Sequence, residues 1–368
     1  MIKRSPTVRL RALARFTAAL LAAAALAACA AGEEGRSGPS MMVAAGDPAA
    51  AEAGLEILRA GGSALDAAIA TQLVLGLVEP QSSGIGGGGF LLHYDHESGL
   101  VESYDGRETA PRAAGPDLFL TPSGEPMPFR EAMVGGRAVG VPGLLRMLEL
   151  VHREHGRLKW SALFEPAIRL AEQGFAVSPD LAREIAEAHS LDTYPATAAY
   201  FLDAAGQPKA PGTVIVNEAY ADTLRAIAIG GADAFYGGPI AQDIVAAVQN
   251  DPVNPGLLAA EDFARYEAKR RDPVCGPYRI FVLCSMGPPS SGGVAVLEML
   301  GLLERFHMPA RLPLSPETAH LFAEAMRLAF ADRDRYLADP DYVAVPAAGL
   351  LNSAYLAERA ALIRLTAR

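Results

Sequence analysis

Apolar positions recur at helical spacing along most of this chain. Pro48–Ala60 carries one apolar stripe and stops at Gly61-Gly62. Ser63, with Asp66 three residues on, has the form of an N-terminal cap. The helix it opens should run to about Glu79, where Pro80 ends it. Ala, Ile, Leu and Val dominate Ala64–Val78 on most faces, which places this helix in the middle of a domain. Helical spacing returns over about 143–155, 161–173, 179–189, 217–229, 239–249 and 259–266, then over 294–306, from Ser315-Pro316 to about 338, and over 353–364.

The strand-like segments are few. Ser40–Gly46 reads as a short strand, Phe90–Tyr94 and Leu100–Tyr104 as a hairpin, and Tyr278–Cys284 as a strand among helices. A loop rich in Pro and Gly covers about 111–136. There is no internal repeat, and no linker divides the chain. Strands and helices do not alternate regularly, which argues against a doubly wound parallel sheet. The expected class is α+β, with one domain over residues 40–368.

The first segment has a different pattern. Lys3, Arg4, Arg9, Arg11 and Arg15 form a basic region, and an apolar run from Phe16 to Ala28 follows. That run is too short to span a bilayer and suits a signal peptide over residues 1–28. Leu26-Ala27-Ala28-Cys29 has the form of a lipobox, which makes Cys29 the expected lipidation site and bacterial-membrane anchor. Ordinary secretory cleavage within the Ala-rich stretch is the alternative. Residues 29–39, rich in Gly, Ser and charge, form a tether, and the expected location is periplasmic.

Charge narrows the partners. The net charge is −10, and removing residues 1–28 takes it to −15. No basic face is available for a phosphate backbone, so nucleic acid is not an expected partner. Besides Cys29, the cysteines are Cys275 and Cys284. An extended chain holds these two apart unless Gly276-Pro277 folds it back, so they are read as unbridged. They give no zinc-ligand pattern, and no cofactor or metal is called for.

Few side chains suggest chemistry. Gly84, Gly86 and Gly89 spell G-x-G-x-x-G, but the order is helix, glycines, strand, the reverse of a dinucleotide site. The run is read as close backbone approach with unusual dihedrals around a site. Arg107 follows a strand beside Gly106, where its planar fork suits a carboxylate. A salt bridge to Asp105 or Glu108 is the competing reading. His152 and His155 match no zinc helix, and His93 and His96 should point to opposite strand faces, a poor ligand pair. Ser290-Ser291-Gly292-Gly293 reads as a capped helix entry. The pairs Asp332/Asp334 and Asp339/Asp341 read as surface.

A set of motifs in order resembles the gamma-glutamyltranspeptidase family. They are Gly61-Gly62-Ser63-Ala64-Leu65-Asp66-Ala67-Ala68, Val78-Glu79-Pro80, Gly84 through Phe90, Asp105 through Pro111, and Val141-Pro142-Gly143. Pro166-Ala167-Ile168, Leu170-Ala171, Gly174-Phe175, Met286 through Gly293, Asp339-Pro340, Tyr342-Val343, Val345-Pro346 and Leu350-Leu351 continue the series. The resemblance implies an N-terminal-nucleophile hydrolase fold, an α-β-β-α sandwich that is incomplete without a small subunit. It also implies a proenzyme that cuts itself. The new N-terminal threonine of the small subunit then attacks gamma-glutamyl compounds such as glutathione, its hydroxyl as nucleophile and its amine as base. By this resemblance, Arg107 is expected to occupy the position that holds the alpha-carboxylate of the gamma-glutamyl group.

The family's cleavage point carries Thr-Thr-His or a close relative, and no such motif occurs here; Thr366 stands in Leu-Thr-Ala-Arg. The resemblance therefore implies a large-subunit portion, inactive alone, with a hydrophobic face for the small subunit. Related cephalosporin or glutaryl acylases, and a non-catalytic carboxylate-binding lipoprotein, are the alternative readings.

Overall fold

The computed structural model describes residues 41–365 except Leu314. The signal segment, Cys29, the tether and Thr366 lie outside the described residues. Met41–Ala44 are irregular, and the expected strand before Gly46 is not formed over the residues described. From Ala45 onward the chain packs as one unit.

Helices of eight residues or more are α1 (Pro48–Arg59), α2 (Ala64–Val78), α3 (Leu144–His155), α4 (Glu165–Gln173), α5 (Pro179–Glu187), α6 (Glu218–Gly230), α7 (Gly238–Gln249), α8 (Gly292–Leu303), α9 (Pro316–Tyr336) and α10 (Ser353–Ala360). The strands are β1 (Gly89–Tyr94), β2 (Val101–Gly106), β3 (Phe175–Ala176), β4 (Val214–Ile215), β5 (Lys269–Arg271), β6 (Val274–Tyr278) and β7 (Phe281–Ser285). The α+β class is as expected. Sheet order is β1-β2-β5, all antiparallel, with two further pairs, β3-β4 and β6-β7.

α2 lies in the core as its composition dictates, with Ile69, Ala70 and Leu73 wholly buried. Its start is the expected box: Ser63 Oγ accepts from Asp66 N at 3.1 Å, and Asp66 Oδ2 accepts from Ser63 N at 2.9 Å. Asp66 is fully buried and also accepts from the backbone N–H groups of Arg157 and Leu158 at 2.9 and 3.1 Å. One carboxylate thus caps α2 and ties it to the segment leaving α3. A buried acid is tolerable here because three backbone N–H groups donate to its Oδ2.

Two expectations fail, one through a misplaced turn and one through a long-range contact. The turn between β6 and β7 falls at Arg279-Ile280, not at Gly276-Pro277, so Cys275 and Cys284 are cross-strand partners and form a disulfide. Arg279 takes a left-handed φ of 55° to make that turn. Asp332 is not on the surface: it is buried, bound by Arg359 at 2.9 Å and by the Tyr355 hydroxyl at 2.9 Å. Asp341 stays at the surface, as expected, but is held there by Arg271 at 2.8 Å and Lys269 at 2.6 Å, which keeps its carboxyl well below the usual range.

The C-terminal helices α8, α9 and α10 share a small core of Leu302, Leu303, Leu321, Ala325, Leu328 and Leu356. Glu298 is buried within this group. Burial first, and Asp332 beside it second, push its carboxyl up to about 8.

Candidate active site

Arg107 emerges from the end of β2 into a cavity of about 450 Å³. Its turn is braced from three sides. Asp105 Oδ1 accepts from Arg107 N at 2.9 Å. Asp105 Oδ2 is taken by Arg271 Nε at 2.6 Å, from the paired strand β5. The Tyr266 hydroxyl donates to Arg107 O at 2.7 Å. Tyr266 stacks on Tyr236, whose hydroxyl donates to Pro142 O at 2.7 Å. Burial raises both phenols above their usual range, so they remain donors at neutral pH.

Of the two acids that competed for the Arg107 side chain, Asp105 is occupied by Arg271. Glu108 Oε2 lies 3.5 Å from Arg107 Nε. The Arg107 side chain is still 62% exposed, and no other carboxylate lies within 4.0 Å of it among the described residues. An exposed pair at this distance is weak and easily displaced. The guanidinium is therefore held at its root and open at its tip.

The glycine run does pack closely. A side chain at Gly88 would meet Gly106 O at 2.5 Å and Glu108 N at 2.8 Å. One at Gly143 would meet Gly106 O at 2.2 Å and the Tyr266 hydroxyl at 2.1 Å. Gly143 N and Leu144 N both donate to Gly87 O. Three backbones thus meet behind Arg107, where a Cβ on any of them would push it out of line. The second half of that expectation is corrected: none of the glycines from Gly84 to Gly89 takes a left-handed φ. A cavity of about 580 Å³, lined by this run with Gln72 and Met147, adjoins the Arg107 cavity through Gly86 and Glu108.

Arg137 lines the Arg107 cavity and was missed in the sequence. It comes from a one-turn 3-10 helix, Gly136–Ala138, in the Pro/Gly-rich region. Its guanidinium reaches only Leu118 O at 3.4 Å and Met127 Sδ at 3.2 Å, with no carboxylate partner among the described residues. An isolated arginine in a loop gives no sequence signal; the fold alone brings it into the cavity of Arg107.

Ser291 stands at the entry to α8, as read, and the capping contact comes from Ser290 Oγ, which accepts from Gly292 N at 3.3 Å. Ser291 Oγ instead accepts from Arg333 Nε at 3.1 Å. His152 turns toward Leu158 O at 2.9 Å and Trp160, away from His155. Among the described residues, no helix is long and apolar enough to cross a membrane.

A family model described as gamma-glutamyltranspeptidase matches residues 50–368. The chain belongs to the gamma-glutamyltranspeptidase family. It is 38% identical over 328 residues to a glutathione hydrolase proenzyme of Bacillus subtilis, covering 89% of this chain and 55% of that protein. It is 39% identical to an acylase ACY 1 proenzyme of a Pseudomonas strain, over 88% of this chain and 58% of that protein. The gamma-glutamyltranspeptidase structure of Helicobacter pylori superposes with a TM-score of 0.84 at 34% identity, covering 89% of this chain and 93% of that one. The α+β fold is thus that of the family. The chain spans little more than half the length of the curated relatives.

Proposed function

We propose that this chain is the large-subunit part of a gamma-glutamyltransferase or glutathione hydrolase. The reaction cleaves a gamma-glutamyl amide bond through an acyl-enzyme on an N-terminal threonine carried by a small subunit. The observation that carries this reading is Arg107, rooted on a braced turn and open at its tip. Its two parallel N–H groups match the two oxygens of the substrate's alpha-carboxylate. Fixing that end of a gamma-glutamyl group sets where its other end, the scissile amide, lies. The brace from Asp105, Arg271 and Tyr266 means that little freedom is lost when the substrate arrives. Glu108 is displaced by the incoming carboxylate and remains beside it, near enough to meet the substrate's alpha-ammonium.

The test is Arg107→Ala in the full-length protein with a gamma-glutamyl anilide. One charge-assisted pair is worth about 1.5–3 kcal/mol, so kcat/KM should fall roughly ten- to a hundredfold. Arg107→Lys should recover only part, because an ammonium is a point charge and not a fork. An unchanged kcat/KM in Arg107→Ala would sink the assignment.

A second reading rests on the acylase relative, which matches as well as the hydrolase does. A glutaryl group keeps the carboxylate that Arg107 would hold but lacks the alpha-amino group. Faster cleavage of a glutaryl anilide than of its gamma-glutamyl counterpart would favour that reading. The basic and apolar leader ending at Cys29 supports periplasmic export and a lipid anchor. Cys29→Ser should then release the protein from the membrane fraction.

A further inference from the structure

At the end of β2 remote from Arg107, three side chains from separate parts of the chain converge. His93 on β1 and Glu102 on β2 are direct cross-strand partners, and His155 is the last residue of α3. Glu102 Oε2 lies 3.2 Å from His93 Nδ1 and 3.1 Å from His155 Nε2. All three ligand atoms fall within 4.8 Å of one another. The two imidazole rings stand 4.2 Å apart, centroid to centroid. Each side chain is partly buried, with 17, 25 and 21% exposed for His93, Glu102 and His155. The group is therefore sheltered yet reachable from solvent.

We propose that His93, Glu102 and His155 form a binding site for a zinc-class divalent cation. Two imidazole nitrogens and one carboxylate oxygen are the donor set such ions prefer over calcium or magnesium. A tetrahedral ion with bonds of about 2.0–2.1 Å has ligand atoms about 3.3 Å apart. The two distances to Glu102 Oε2 already match that edge. Only the third, between the imidazoles, has to close. The fourth vertex falls to water or to the Tyr104 hydroxyl, which is 2.7 Å from His155 Nε2.

Arg270 on β5 sets the limits of the site. Its Nη2 lies 2.5 Å from Glu102 Oε1 and 3.0 Å from Glu154 Oε2. Glu102 can then ligate only through Oε2, and a positive charge next door opposes the cation. The affinity should be moderate and should rise when Arg270 is neutralised. Arg107 lies five residue steps beyond Glu102, roughly 16 Å at 3.3 Å per residue. The ion is thus a clamp between the hairpin and α3, not a participant at the Arg107 cavity. An ion that binds only the folded chain raises its melting temperature.

The test is calorimetric titration of metal-stripped, untagged full-length protein with zinc chloride. One equivalent should bind, and His93→Ala and His155→Ala should each abolish it. His96→Ala should leave it intact, and Arg270→Gln should tighten it. Absence of a saturable equivalent, or its survival in the His93→Ala/His155→Ala variant, overturns the proposal. Should those variants fail to fold, cobalt(II) added to the unaltered protein decides. Intense visible bands of a tetrahedral nitrogen and oxygen site support it, and only the weak bands of a six-coordinate ion refute it. Neither result depends on gamma-glutamyl activity, so this site and the Arg107 reading stand or fall separately.

Discussion

α2 and α9 are both apolar on more than one side, yet α2 is much the more fully covered. Ten of the fifteen residues of α2 are buried, and its one buried acid, Asp66, accepts three backbone N–H groups on Oδ2. α9 buries Leu321, Ala325 and Leu328 against α8 and α10. On its other side Phe322, Met326 and Phe330, four residues apart, remain 44, 47 and 45% exposed. A helix apolar on two sides belongs inside a structure. The surroundings of α2 are thus largely packed by this chain, and α9 presents a layer for something further to cover. In the proposed enzyme that cover is the small subunit.

Substitutions should separate the two halves. The largest effect is expected at Leu73 in α2, which is wholly buried. Leu73→Ala should cost about 2–5 kcal/mol by the loss of buried surface and the cavity left behind. Phe330→Ser should change the isolated chain by less than about 0.5 kcal/mol, while improving its solubility. Urea melts of both variants check the contrast, and equal losses would mean that α9 is already covered on both sides.

Loss of gamma-glutamyl turnover in Arg107→Ala comes next in size. A smaller effect should follow the buried acid pair of the C-terminal half. The folded state raises the Glu298 pKa to about 8, above its unfolded value, so the folded chain holds a proton there that the unfolded chain releases. That contribution is full below the ordinary carboxylate range and is lost as the pH rises through about 8. Denaturation midpoints should fall across that window in the unaltered chain and stay flatter in Glu298→Gln. A parallel decline in both would remove Glu298 as the cause.

The smallest effect should come from Arg137→Ala. Arg137 shares the Arg107 cavity without a carboxylate partner, so it adds to the local positive field. KM for an anionic substrate should rise several-fold with kcat nearly unchanged, and the loss should shrink at high salt. A change in kcat alone would place Arg137 outside the binding cavity's function.

Much of this molecule is readable from neighbours in sequence. The Ser63–Asp66 box, the burial of α2, the β1–β2 hairpin and the place of Arg107 after a strand all follow from chemistry within a few residues. Periodicity and caps act at that range, and they act whatever the rest of the chain does. The tertiary structure decided everything that depends on which distant groups meet. Asp105 pairs with Arg271 from β5, and that leaves Arg107 open. Arg137 joins the same cavity, and His93 meets His155 and not His96. A three-residue shift in one turn brought Cys275 opposite Cys284. Asp332 went inside because Arg359 and Tyr355 came to meet it. A charged side chain has no fixed address in the sequence: its place is set by whichever partner offsets the cost of leaving water.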